Sequence, residues 1–362
     1  MIPVYEPRIG DRELRYVSEA VKSTWISSKG VFLDRFESEF SSYVESAHGV
    51  ATCNGTVSLH LAFAALGIGA GDEVIVPTLT YVASVNAITY TGATPVFVDS
   101  EADYWNIDPA AVEAAITPRT KAIEVVHLYG HPADMGPILE IAQRHGIAVV
   151  EDAAEAHGAR YRGHRVGALG TVGSFSFFGN KIITAGEGGM LVTNDADIAE
   201  RARHLRGQGV SPTRTYWHDV IGYNYRMTNV AAAIAVAQLQ QADEIIVKKR
   251  AIAGWYAEDL SEVEGVELQR EAEWADAVYW MNCILVEPAA RDSLMASLKL
   301  GGIETRPFFY PAHTLPMYAT GQSFPVAERL GASGINLPSG PGLTREQVHS
   351  VSGAVAEFME AR

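Results

Sequence analysis

Short apolar runs recur along the first two-thirds of this chain, with helical patterns between several of them. No other feature restricts the fold as strongly. The runs are Val74–Val76, Val96–Val98, Ala122–His127, Ile147–Val150, Ser174–Phe177 and Met190–Thr193. Asp108-Pro109 reads as a helix opening, an N-cap followed by proline at the first helical position. Gly146 closes the helix that ends in Gln143-Arg144-His145. Such alternation predicts an α/β fold, a mostly parallel sheet covered by helices on both faces. After about residue 240 the pattern changes. A long polar helix begins near Asp243, Val278–Val286 is the clearest remaining strand, and a closing helix opens with a Thr344 to Gln347 capping box. The expected division is a large α/β domain over 1–240 and a smaller α+β domain over 241–362. Two or three domains also suit 362 residues.

Charge removes several functions. The net charge is −15 with a pI near 5.2, and no Lys/Arg run occurs. Nucleic acid and anionic lipid both favour basic patches, so neither is an expected partner. No apolar run approaches the ~18–20 residues of a membrane span. The opening MIPVYEPRIGDREL has no apolar core of a signal peptide. Cys53 and Cys283 form neither a disulfide framework nor a zinc pattern. A cytoplasmic location is expected.

The segment SFSFFGNKIITAGEGGMLVT, residues 174–193, carries the most chemical information. An apolar strand runs into Gly179-Asn180-Lys181, and Gly186-Glu187-Gly188-Gly189 leads into another strand. Lys181 therefore sits between two buried strands, beside small residues that admit a ligand. A free lysine titrates near 10.4. Burial or a neighbouring cation lowers that value and exposes a nucleophile able to condense with an aldehyde. A lysine taken alone more often snorkels to solvent. The glycines do not form a dinucleotide fingerprint, which follows a first strand and opens a helix.

Two further segments supply partners for such a site. Ile147–Val150 runs into Glu151-Asp152, and ligands of open α/β sheets bind at the carboxyl ends of strands. Strand side chains alternate, so only one of the two acids faces the ligand. A carboxylate there favours a protonated ring nitrogen; the rival reading is a cap on the Ala153-Ala154 turn. Cys53-Asn54-Gly55-Thr56-Val57-Ser58 turns into a helix whose free N–H groups form an anion site. Ser176, on the strand before Lys181, offers a second hydroxyl to the same anion. His127 and His131 are four apart, but Gly130 and Pro132 interrupt any helix there. They read as structural or substrate-facing rather than as metal ligands, and no metal is expected. Arg306, before Pro307, has the fork to clamp a carboxylate or phosphate. His313 stands nearby in sequence; for both, an ordinary structural role is the rival reading.

In this order, NGTVSLHLA, GDEVIVPTLTYVAS, EDAAEAHGA, SFSFFGNKIITAGEGGM and GYNYRMTN resemble the DegT/DnrJ/EryC1/StrS family of sugar aminotransferases. The resemblance covers nearly the whole chain. It implies the fold type I of pyridoxal phosphate (PLP) aminotransferases and a homodimer with sites at the subunit interface. It further implies that Lys181 holds the cofactor as a Schiff base and moves the proton. Asp152 would face the pyridine nitrogen, and Tyr81 would stack on the ring. Gly55, Thr56 and Ser176 match phosphate contacts, and Asn224 matches one reaching over from the partner. Closer pieces, TWISSKG and HLYGH among them, place Trp25 and Ser27 at the substrate, with Arg306 and His313 as further contacts. They imply glutamate as amino donor and C4 of a nucleotide-linked 4-keto-6-deoxy sugar, GDP-4-keto-6-deoxymannose, as acceptor; the rival readings are a UDP- or dTDP-linked keto sugar, a PLP-dependent sugar dehydratase, and a non-catalytic PLP-binding regulatory protein. Glu155 departs from the commoner Gln or His near the ring. A branch of the family with histidine in place of the lysine performs dehydration; the lysine here implies amino transfer.

Overall fold

Each of the six apolar runs lies in or overlaps a strand of one sheet. The computed structural model describes all 362 residues, Met1–Arg362. In chain order the first strands are β1 (His48–Thr52), β2 (Glu73–Pro77), β3 (Thr94–Val98), β4 (Thr120–Val126) and β5 (Ala148–Asp152). The short β6 (Arg160–Tyr161) and β7 (His164–Arg165) precede β8 (Val172–Ser176) and β9 (Gly189–Thr193). Then come β10 (Glu267–Leu268), β11 (Ala275–Asp276), β12 (Asn282–Leu285), β13 (Arg306–Pro307) and β14 (Gly334–Leu337).

The main sheet has the order β1-β9-β8-β5-β4-β2-β3. Its pairs are parallel except those of β9, which runs against both neighbours. The chain returns from β8 into β9 by a reversal, so no crossover helix is needed there. The carboxyl ends of β1, β2, β4, β5 and β8 therefore share one edge. Strand β1 escapes a search for apolar runs because His48, Gly49 and Thr52 break its pattern.

Two of the predicted helix signals are present as bonds. Asp108 accepts from the Ala110 amide at 2.9 Å, and Gly146 takes the left-handed conformation (φ 65°) after the helix Met135–His145. The helix Val82–Tyr90 lies on the face toward which Asp152 points, because its Ser84 hydroxyl donates to that carboxylate.

Beyond residue 240 the predicted polar helix is Ala242–Leu260, and the four-stranded sheet β10-β12-β14-β13 is antiparallel. Its own core includes Ile252, Tyr256, Ile284, Leu294 and Val351. We place the working domain division at 240, although Trp280 and Phe308, beyond it, are buried in the larger core. One expectation needs correcting. Only Asn282–Leu285 of the run Val278–Val286 is a strand. Val278–Met281 instead docks on the large domain, with the Val278 amide donating to the Gly130 carbonyl at 2.9 Å and Tyr279 at φ 49°. Docking buries the same apolar side chains that a strand would. No single helix is long and apolar enough to cross a membrane.

Lys249, on the helix Ala242–Leu260, is wholly buried. Its Nζ donates to the Ser339 carbonyl at 2.6 Å and lies 5.1 Å from the centre of the Tyr5 ring. Burial pushes the amine down to about 7, against a small opposing pull from Cys283. Between about 7 and its ordinary 10.5 the unfolded chain binds more protons than the folded one. Stability from this group is then complete only above the ordinary value, and it is lost as the pH falls toward the depressed one. Replacing Lys249 by Met removes that dependence. We expect the melting temperature of K249M relative to wild type to be more favourable at pH 7 than at pH 10. Equal differences at both pH values in calorimetry contradict this account.

Candidate active site

The reversal between β8 and β9 is tied at its base. The Phe177 amide donates to the Gly188 carbonyl at 2.8 Å, and the Ala185 amide donates to the Phe177 carbonyl at 2.8 Å. Gly186 supplies the turn with φ 79°. Gly189 lets β9 pass close to the loop after β1, since a Cβ there would meet the Asn54 carbonyl oxygen at 2.2 Å. Lys181 is thus carried on a short closed loop at the carboxyl edge of the sheet. The Tyr5 hydroxyl donates to its carbonyl at 2.9 Å, and the Trp280 indole N–H donates to that of Asn180 at 2.6 Å.

The Lys181 side chain keeps only 12% exposure. Its Nζ lies 3.7 Å from Glu155 Oε1 and 3.8 Å from the centre of the Trp280 ring. Burial lowers the lysine below its ordinary value, while Glu155 and Asp152 act in the opposite sense. Burial likewise raises Glu155 to about 7, against the Lys181 amine and the Tyr129 N–H that oppose it. Glu155 Oε2 accepts that N–H at 2.8 Å. Burial thus displaces each partner's proton affinity toward the other's.

Glu151 and Asp152 diverge as strand alternation requires. Glu151 accepts from the amides of Gly167, Leu169 and Gly170 at 2.6, 2.8 and 2.6 Å, and sits 3.0 Å from His127 Nε2. It is fully buried and committed to holding the loop before β8. Asp152 faces the other way. Its Oδ2 accepts from Ser84 at 2.8 Å, and its Oδ1 accepts from the Ala154 amide at 3.1 Å. The turn-capping reading and the ligand-facing reading are therefore compatible, each using a different oxygen. Burial raises Asp152, with Ser84, Ala154 and Lys181 restraining the shift.

The anion cradle lies alongside. Asn54 caps the helix Gly55–Leu66 through Val57 at 3.0 Å, and the amides of Gly55 and Thr56 precede the first intrahelical bond. A Cβ at Gly55 would sit 2.6 Å from Ser176 Cβ, so helix and β8 meet there with no room to spare. Tyr81, at the N-cap of Val82–Tyr90, is 56% exposed and packs 5.6 Å from Phe309.

Other expected contacts stand apart from Lys181. Asn224 is exposed, its Oδ1 accepting from Arg226 at 2.8 Å. The carbonyls of Trp25 and Ser27 accept from the Asn229 side chain and amide at 2.7 and 2.6 Å. Trp25, Lys29 and Arg206 line a separate surface concavity of about 640 Å³. Arg306 is half-exposed, 3.7 Å from Glu304. His313 is buried, with Nδ1 2.7 Å from the Thr78 hydroxyl and Nε2 3.3 Å from Glu328. Both His313 nitrogens have partners within the chain, so a substrate contact there would displace one of them. His127 accepts the Ala133 amide at Nδ1 and pairs with Glu151, while His131 stacks on Tyr104. Both are structural.

Sequence reasoning missed Ser84, Tyr5, Tyr129 and Trp280. Ser84 stands inside the quoted GDEVIVPTLTYVAS, three residues after Tyr81, and the helical spacing was its signal. Tyr5 and Trp280 reach Lys181, and Tyr129 reaches its partner Glu155, only through the fold. The resulting donor set suits pyridoxal phosphate: an amine for its aldehyde, a buried carboxylate for its ring nitrogen, and a helix N-terminus for its phosphate. Asn180 Oδ1, on the residue before Lys181, is buried without a donor from the chain.

Comparison with known proteins agrees with this chemistry. Residues 7–356 match the DegT/DnrJ/EryC1/StrS aminotransferase family. The chain is 52% identical over 359 residues to the GDP-perosamine synthase of Escherichia coli O157:H7, covering 99% of this chain and 98% of that one. It is 48% identical to the GDP-perosamine synthase of Caulobacter vibrioides, with 99% and 98% covered. Among solved structures, DesV of S. venezuelae superposes with a TM-score of 0.92 at 41% identity, over 96% of this chain and 94% of DesV.

A methyl at Gly55 must part the helix from β8. Overpacking of this kind costs about 1–3 kcal/mol. We expect Gly55→Ala to weaken PLP binding roughly tenfold or more in an absorbance titration. Wild-type affinity in that variant would place the phosphate elsewhere.

Proposed function

The chain belongs to the DegT/DnrJ/EryC1/StrS aminotransferase family, and on that premise we propose that it moves an amino group from glutamate to C4 of GDP-4-keto-6-deoxymannose, giving GDP-perosamine. The observation that carries the substrate is the full-length identity of 45–52% to three GDP-perosamine synthases. The lysine at 181 favours amino transfer over dehydration.

PLP supplies the electron sink that lets a C–H bond next to nitrogen break. The chain's residues do the rest. Lys181 would hold the cofactor through its amine, and as a free amine it would move the proton at the substrate carbon. Glu155 sits within reach of that amine and accepts or returns its proton. Asp152, steadied by Ser84, holds the charge of the ring nitrogen. Gly55, Thr56 and Ser176 would take the phosphate, and Tyr81 would face the ring. Loop closure around Lys181 limits water at the reacting atom.

A homodimer completes this reading. None of Asn224, Trp25 and Ser27 bonds to Lys181 in its own chain: Asn224 holds Arg226, and the carbonyls of Trp25 and Ser27 hold Asn229. Tyr216 and Ile221 are more than 90% exposed, and Trp217, Val220, Trp25, Ile26 and Val31 are each 45–61% exposed. Apolar side chains exposed in this number favour burial against a second subunit. Such a partner would bring Asn224 to the phosphate and the segment of Trp25 and Ser27 to the sugar nucleotide.

Two measurements test the reading. Lys181→Ala is expected to lose more than about a hundredfold in 2-oxoglutarate release from glutamate; near-normal turnover would remove the lysine from its role. Mass spectrometry of wild-type reactions with GDP-, dTDP- and UDP-linked 4-keto-6-deoxy sugars should give an amino sugar chiefly from the GDP compound. A preference for another nucleotide, or a nitrogen-free product, overturns the substrate assignment.

A further inference from the structure

Trp280 belongs to the segment that docks the smaller domain on the larger, yet its ring is the aromatic face against the Lys181 amine. The indole is itself immobile. It is 4% exposed and lies nearly parallel to the Tyr129 ring (14°, centres 6.2 Å apart), and its N–H is spent on the Asn180 carbonyl. Gly130 allows this approach, since a Cβ there would lie 2.7 Å from the Trp280 amide nitrogen. Tyr129, which backs the indole, also donates its amide to Glu155. Carboxylate and ring are thereby held as one rigid pair on either side of the lysine.

We propose that Trp280 is a positioning residue for the Lys181 amine: its ring face receives the protonated amine, and its N–H fixes the backbone of Asn180 next to it. The assignment rests on Lys181 being the reacting amine. A ring face attracts a cation electrostatically, most strongly where water is excluded. A carboxylate alone would pull the amine toward Glu155; the ring gives it a second, uncharged resting place from which a proton can still leave. Other groups also face this amine. Asp152 favours its charge, whereas neutral His157, unpartnered at both ring nitrogens within the chain, is packed among Phe40, Phe175 and Phe177. The Tyr5 hydroxyl holds the Lys181 carbonyl but not its amine. Trp280 is thus the contact through which the seating of the smaller domain reaches the reacting nitrogen.

The test uses the full-length protein freed of cofactor. An amine-acylating reagent is pulsed across a pH series, and the Lys181 peptide is quantified by mass spectrometry. We expect Trp280→Leu to move the midpoint down by roughly half a unit to one unit, and Trp280→Phe to bring it most of the way back. Protein grown on fluorinated tryptophan, which keeps the shape but weakens the ring's negative face, should shift in the same direction as Trp280→Leu. This arm holds even where the leucine variant does not fold. Coincident profiles for wild type and the leucine or fluorinated protein overturn the proposal, as does a phenylalanine variant displaced as far as leucine. No cofactor or sugar is present, so failure of the nucleotide-sugar reading leaves this result untouched.

Discussion

An amine shut away from water either gives up its proton or is supplied with groups that welcome its charge. Around Lys181 the chain does the second from two directions, with a carboxylate on one side and an indole face on the other. The rest of the architecture can be traced outward from that need. The return of β9 against β8 makes the loop that presents the lysine. The loops after β4 and β5 supply Tyr129 and Glu155, and the docking segment of the smaller domain supplies Trp280. Glu155 is itself displaced upward by burial, so neither partner is firmly committed to its charge. A carboxyl raised to about 7 beside a lowered amine is of the kind that suits general acid–base work at neutral pH.

The chemistry that lies within one strand or one turn was legible in the sequence. Lys181, Asp152 and Gly55 each sit at the end of an apolar run or the start of a helix, where period and turn residues locate them. The division between Glu151 and Asp152 followed from strand alternation, though not which oxygen does what. Contacts closed by the fold were not legible. Ser84 meets Asp152 across 68 positions, and Trp280 meets Asn180 across 100. The expected strand over Val278–Val286 failed for a related reason. An apolar run needs burial, and a docking segment satisfies that need as well as a ladder does. His313 shows the converse, a polar residue of functional type whose nitrogens are used inside the fold.

The N-terminal segment links parts that the sequence presents as separate. Ile2 bridges to Ile303 in the smaller domain, Val4 donates to Glu304, and Tyr5 reaches the lysine carbonyl. Lys249 lies over the Tyr5 ring and bonds the carbonyl of Ser339, whose amide in turn bonds Val4. These first residues therefore act as a strap across the domain joint. Their bonds run to both domains, so movement of one relative to the other is felt at the backbone of the lysine loop.

Strand β5 carries two neighbouring acids with unrelated duties, one knotted into the amides before β8 and the other turned to the opposite face, toward Ser84. Slippage of that strand by a single position would present the wrong acid on each side at once. The interior would then hold a carboxylate without its amides, and the ligand would face a residue chosen for packing. Insertions or deletions within these five residues are consequently barred twice over, by folding and by catalysis.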